Sequence, residues 1–384
     1  MFDTRDFKEE LISHNFFKRI SKVNTIVCQW SNVNQLNLII GFKFLNLTDL
    51  QIRSDVKIHI VHSNPVNLLA LQNKLCKIKK FGSKGIVPFN PKIYLPETSI
   101  TELTLHDDVI FETKNIIEQT KLTTLNLSGL SEKWIENFDN ELSNELSNEL
   151  SKSHTLPSLT TLSIIDGNSN LSLSNVVKKF STLEKLCLSN NDIDDQIVDK
   201  LTECIKSLSN LHYLDLRHNL FDINKFLHSG VLHHLNYLET LILGHQDIGY
   251  ELKIDKELCV QLTSLSTLKV LIIDDIDIHF KPETEEQFWT FAKRLQTFDI
   301  GKSNQNSIIC TKLLHLPNLG IYNTYSYDVA YTKIKELIAS TKNNSNVLSC
   351  KNAYKWYFDT ILNRLKNRFE STHSRISREI IRML

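Results

Sequence analysis

Leucine and isoleucine recur along this chain in a fixed frame. Apolar residues stand at the first, fourth and sixth positions, polar or small ones between them, and another apolar residue at the eleventh. The frame is clearest in 183-LEKLCLSNNDI, 211-LHYLDLRHNLF, 238-LETLILGHQDI and 268-LKVLIIDDIDI, whose starts lie 28, 27 and 30 residues apart. Weaker copies begin at Ile100, Leu122, Leu159 and Leu295, a marginal one is 47-LTDLQIRSDV, and 319-LGIYNTYSY is a degenerate candidate for a last strand. Alternation through the middle of each copy predicts a short strand with its fourth and sixth residues (Leu186 and Leu188 in one copy) facing a core. Between copies the period changes. In 194-DDQIVDKLTECIKSLSN, Ile197, Leu201, Ile205 and Leu208 form a helical apolar stripe. One strand and one helix per unit, repeated, predicts an α/β solenoid in which no unit buries its apolar face alone.

At these residues the sequence resembles the leucine-rich-repeat family, with its L-x-x-L-x-L-x-x-N-x-L pattern. The match is carried by Leu183, Leu186, Leu188, Asn191 and Ile193, and again by Leu211, Leu214, Leu216, Asn219 and Phe221. The repeat length resembles the ribonuclease-inhibitor-like subclass, which implies a horseshoe with parallel strands on the concave side and helices on the convex side. The ninth residue is Asn in only two copies. Asp108, Leu130, Gly167, Gln246, Ile276 or Ser303 stands there elsewhere, so a broken turn network is expected. One unit is lengthened by a tandem NELS run over 140–151, with Leu142, Leu146 and Leu150 four residues apart, expected as an extended helix.

The expected organisation is an N-terminal segment at 1–46, a solenoid at 47–340, and a polar hinge with a basic amphipathic helix at 341–384. Apolar residues in the first segment suggest short helices, either a cap on the open solenoid end or a docking module. The stretch 16-FFKRISKVNTIVCQWSNV resembles the end of an F-box through Val27, Cys28 and Trp30. It has one residue between Cys and Trp where the family pattern has two, and it lacks the family's Leu-Pro opening. That resemblance implies a ligase-adaptor partner and a substrate-recruiting subunit of a cullin-type ubiquitin ligase. In 351–384, eight Lys and Arg face three Asp and Glu, so this helix is a solvated cap or a membrane-surface element.

Charge changes the picture by what it removes. Lys plus Arg and Asp plus Glu number 44 each, so nucleic acid is not an expected partner. The seven cysteines are scattered without a C-x-x-C pair, and the charged opening MFDTRDFKEE is followed by no apolar run. The expectation is therefore a reduced, cytoplasmic protein with neither disulfide frame nor membrane span. No P-loop, G-x-S-x-G or H-E-x-x-H motif occurs, so no catalytic residue, cofactor or metal is expected. The candidate chemistry lies at the outward positions of successive strands: Asp215, Arg217 and His218, then Ile242, Gly244 and His245, then Ile272, Asp274 and Asp275, then Asp299 and Lys302. Mixed charge with two histidines suits a protein ligand, for which charge complementarity sets specificity.

Overall fold

The computed structural model describes residues 2–3, 25–29, 48–53, 79–84, 100–106, 113–117, 119–147, 156–167, 171–244, 251–274 and 277–299. Its strands are β1 (Phe2–Asp3), β2 (Thr25–Gln29), β3 (Asp49–Arg53), β4 (Lys80–Lys84), β5 (Glu102–His106), β6 (Thr124–Ser128) and β7 (Thr161–Ile165). There follow β8 (Lys185–Cys187), β9 (Tyr213–Asp215), β10 (Thr240–Gly244), β11 (Glu251–Ile254), β12 (Val270–Asp274), β13 (Asp277–Phe280) and β14 (Thr297–Asp299). Twelve of them form one sheet in strict chain order, β1 through β10, then β12 and β14. Every pairing is parallel. One strand per repeat, each beside the next in sequence, is a leucine-rich-repeat solenoid. The parallel ladder follows from the crossover segment that each unit carries between strands.

Register turns the sequence frame into columns. The fourth position runs Phe2, Ile26, Leu50, Phe81, Leu103, Leu125, Leu162, Leu186, Leu214, Leu241, Leu271, Phe298. From Phe81 onward every member is buried, as are sixth-position residues from Leu105 to Ile273. The first-position residues Ile100, Leu122, Leu159, Leu183, Leu211, Leu238, Leu268 and Leu295 fill the same core. Just before each strand, the second-position carbonyl accepts from two N–H groups of the next unit. Thr160 O takes Glu184 and Lys185, Glu184 O takes His212 and Tyr213, and His212 O takes Glu239 and Thr240. The same fork recurs from Thr48 to Thr297, so the stacking is continuous through units whose sequence match is poor.

Two such units lie where the pattern is faint. β4 carries 78-IKKFGSK, with Phe81 and Ser83 in place of the two core leucines. β2 carries TIVCQ and pairs with β1 and β3. This corrects the expected helix through Val27 and Cys28. Three successive β-branched residues, Thr25 to Val27, favour a pleated strand over a helix, and the docking helix that an F-box requires is absent from 25–29. The sheet thus runs past residue 46 as far as Phe2. Trp30 and all of 300–384, including the hinge and the basic helix, lie outside the described residues.

The crossovers hold α1 (Thr113–Ile117), α2 (Glu132–Ser147), α3 (Leu171–Lys178), α4 (Asp195–Lys206), α5 (Ile223–His228), α6 (Lys256–Ser264) and α7 (Glu285–Ala292). In α4, Ile197, Val198, Leu201 and Ile205 are buried against the sheet, and the Asp194 carboxylate caps its N-terminus by accepting from Gln196 and Ile197. α2 takes in the first two NELS copies as the long helix expected there, with Leu142 fully buried. The knot between α2 and α3 is polar: the Lys179 ammonium pairs with Asp139 and donates to Ser143 Oγ (2.8 Å), while Asn175 Nδ2 donates to Asp139 (3.0 Å). The crossovers are not uniform. In the units beginning at Leu238 and Leu268, β11 and β13 pair with each other before the helix begins. Asn224 closes the edge of β11 by donating to Glu251 O (2.6 Å) and accepting from Lys253 N (2.8 Å), imitating a neighbouring strand.

Candidate protein-binding surface

The strand face is bounded on one side by the turns that leave each strand, and these turns are built by two positions. The eighth residue has positive φ at each of the four places where it is among the described residues: Gly129 (68°), Asp166 (54°), Asn190 (57°) and His218 (58°). Such backbone is tolerated by Gly and, among side-chain residues, most readily by Asn, Asp and His. In that conformation the eighth N–H reaches the seventh carbonyl of the next unit, as Asn190 N does to Arg217 O (3.1 Å) and His218 N to Gly244 O (2.9 Å). His218 therefore owes its place in the sequence first to backbone geometry. His245 and Asp275 occupy the same repeat position but lie outside the described residues, as does Lys302.

The ninth residue is the internal brace. Asn219 is buried, and its Nδ2 donates to Leu188 O and Leu216 O (both 2.8 Å) while its Oδ1 accepts from Asn191 N (3.0 Å) and Ile193 N (3.1 Å). Asn191 repeats the arrangement one unit earlier, donating to Ile164 O (2.6 Å) and accepting from Gly167 N (3.1 Å). The network thus extends into a unit whose ninth residue is not Asn, because the group that Asn191 Oδ1 accepts from is a backbone N–H, which any residue but proline supplies. A Cβ on Gly167 would stand 2.9 Å from Asn191 Oδ1.

On this frame sits the cluster of Tyr213, Asp215 and Arg217, at positions three, five and seven of one unit. Alternation puts all three on the same face. Asp215 is flanked in register by Cys187 and Ile242 and is only 1% exposed, while the Arg217 side chain above it is 36% exposed. Asp215 Oδ2 accepts from Arg217 Nε (3.1 Å), Arg217 Nη2 (2.8 Å) and the Tyr213 hydroxyl (3.4 Å), and Oδ1 accepts from the Arg217 backbone N–H (3.2 Å). A buried carboxylate needs this much compensation. Burial, with the Asp215 charge behind it, pushes the Tyr213 hydroxyl up to about 12, so it stays a neutral donor. Burial pulls the Arg217 guanidinium down, but the Asp215 carboxylate outweighs it and holds the cation above its ordinary value.

Of the sequence-predicted site residues, Asp215 and Arg217 are brought together as a pair, with His218 in the turn that follows. His218 Nδ1 is buried without a hydrogen-bond partner among the described residues. Asp274 is placed by register beside Gly244, two strands from the Arg217 unit. Tyr213 was not among the expected site residues, although the same alternation that marks Asp215 and Arg217 marks it. Upstream the face is a quieter polar lattice: Asn126 donates to Thr104 (3.1 Å), and Asp166 accepts from Ser128 (3.2 Å) and Asn190 (2.7 Å). Toward the other margin, His212 stacks on the exposed Tyr237 with ring centroids 6.0 Å apart.

No protein-family model matches the chain, and no characterised protein matches it in sequence. Among solved structures it is similar to an internalin (InlF) from Listeria monocytogenes, at 16% identity and a TM-score of 0.44, over 81% of this chain and 89% of that one. It is also similar to a chain of the octameric complex of Latrophilin 3, Unc5D and FLRT2, at 14% identity and a TM-score of 0.41, over 73% and 84% of the two chains. Among the described residues no group of His, Cys, Asp and Glu is arranged to hold a metal ion, and no helix is long and apolar enough to cross a membrane.

Proposed function

We propose that the protein is an interaction module that binds a protein partner on its strand face without turnover, through the surface centred on Tyr213, Asp215 and Arg217. His218 of the same unit, and His245, Asp274, Asp275 and Lys302 of the units that follow, would add to it. The observation that carries this reading is the prearranged Asp215–Arg217 pair on the open face of the sheet. Its anion is buried and satisfied, and its cation is half-exposed two residues past the end of β9, tied to that anion by two hydrogen bonds. A side chain already ordered in the free protein loses little freedom on binding, and Arg and Tyr are the residues that most often anchor interfaces. Nothing in the cluster resembles a nucleophile with its base: the carboxylate is occupied and the tyrosine is held protonated.

Affinity purification with mass spectrometry tests this. The full chain is compared with Thr240→Arg/Val270→Arg, both half-exposed at position three of adjacent strands, and with Lys200→Glu, exposed on α4. The expected result is a set of partners lost from the first variant and retained by the second. Retention by both, or equal loss from both, contradicts binding at the strand face.

A further inference from the structure

The chemistry of the partner can be read one step further from the way Arg217 is held. Its Nε and Nη2 are both committed to a single oxygen, Asp215 Oδ2. The whole Nη1 group and the second hydrogen of Nη2 therefore form the outer edge of the fork, and this edge donates to no described residue. Asp215 itself is out of reach at 1% exposure, so an approaching molecule meets a cation and not an anion. In the row of seventh positions Arg217 is flanked by the half-buried Ser189 on one side and by Gly244, which is buried, on the other, and the guanidinium side chain itself remains 36% exposed.

We propose that the outer edge of the Arg217 guanidinium is the anchor for an Asp or Glu carboxylate of the protein partner, with Asp215 as the inner counterion that pre-orients the fork. This rests on the strand face being the binding face. Three arguments select that ligand. A planar guanidinium edge matches a planar carboxylate with two parallel hydrogen bonds, a match that a lysine or a neutral amide cannot reproduce. The Asp215 charge behind the guanidinium already neutralises the pair, so every added negative charge is uncompensated by net charge, which disfavours a doubly charged phosphate more than a singly charged carboxylate. In the five units starting at Leu122, Leu159, Leu183, Leu211 and Leu238, positions three, five and seven contain one other Lys or Arg, Lys185. A nucleic-acid backbone, which needs a row of cations, finds only two there.

The probe is a degenerate decapeptide library divided by its fixed central residue: Asp, Glu, Asn, Gln, phosphoserine or Lys. It is applied to the full-length protein. The Asp and Glu pools are expected to be retained about tenfold over Asn and Gln, the scale of a charge-assisted hydrogen-bond pair, and above phosphoserine. Arg217→Gln alone strands the buried carboxylate, so the deciding variant is Asp215→Asn/Arg217→Gln, which removes both charges and is expected to abolish the preference. Arg217→Lys, which keeps the charge without the fork, should lose most of it. Equal retention of acid and amide pools (including retention of neither), a preference for phosphoserine, or an acid preference that survives in the double variant overturns the proposal. If the preference is absent while the Thr240→Arg/Val270→Arg variant still loses its partners, only the carboxylate anchor fails. If that variant loses nothing, the strand-face reading itself has failed.

Discussion

Replacing Asn219 by alanine removes one side chain and leaves several backbone groups stranded. The amide donates to the carbonyls of Leu188 and Leu216 and accepts from the N–H groups of Asn191 and Ile193, all within a site 1% exposed to solvent. The carbonyls keep a second lone pair for other partners and lose less. The two N–H groups have nowhere to turn, and an unsatisfied buried donor costs about 1–3 kcal/mol. Asn219→Ala should therefore destabilise the protein by about 4 kcal/mol, a large share of the roughly 5–15 kcal/mol that holds a typical domain together. Asn219→Asp is the informative companion. It keeps the oxygen that accepts from both N–H groups but turns a negative charge toward two carbonyl oxygens, so it should do no better than alanine. Urea unfolding followed by circular dichroism measures the global loss. Because a repeat array can open unit by unit, amide hydrogen exchange at Asn191 and Ile193 gives the local value independently. A loss below about 1 kcal/mol with both amides still protected would refute the view that this side chain is the brace of the turn.

Two further outcomes follow from the same region. Gly167→Ala should cost about 1–3 kcal/mol by overpacking, since its Cβ would meet Asn191 Oδ1 at 2.9 Å. In an Asn191→Ala background that cost should nearly vanish, and a double-mutant cycle showing no coupling would sink the explanation. Tyr213 is held above the ordinary value of 10.0, at about 12, so the folded state keeps a proton that the unfolded chain gives up first. Its contribution is intact below pH 10 and is lost as pH rises toward 12. The stability difference between the native protein and Tyr213→Phe should change over that window alone, and a flat difference would show that the hydroxyl is not buried beside Asp215.

The units from Leu183 to Ile278 were legible because their core positions hold Leu and Ile at strict spacing. The pattern faded where the same positions hold other residues. Phe81 and Ser83 stand for two leucines in β4, and Ile26 and Cys28 do so in β2, so the leucine pattern does not mark these strands. What revealed them is a property of the backbone: the carbonyl fork before each strand needs no particular side chain. The candidate site was legible in part for a related reason. Alternation marks Arg217 and Asp215 as outward residues of one strand, but it marks His218 equally, and the left-handed backbone of the eighth position accounts for that histidine without any ligand.

The sequence by itself determined the repeating strand-and-crossover unit, the inward apolar positions of its strands and the apolar stripe of its helices. All of these depend on periodicity, which is local and additive. Only the tertiary structure decided how far the sheet extends, where β11 and β13 replace the start of a helix, and that Asp215 is buried while Arg217 remains open. Those outcomes depend on which residue a neighbouring unit sets beside each position, Cys187 and Ile242 in the case of Asp215. A single strand's pattern contains no information about the burial that its neighbours impose on it.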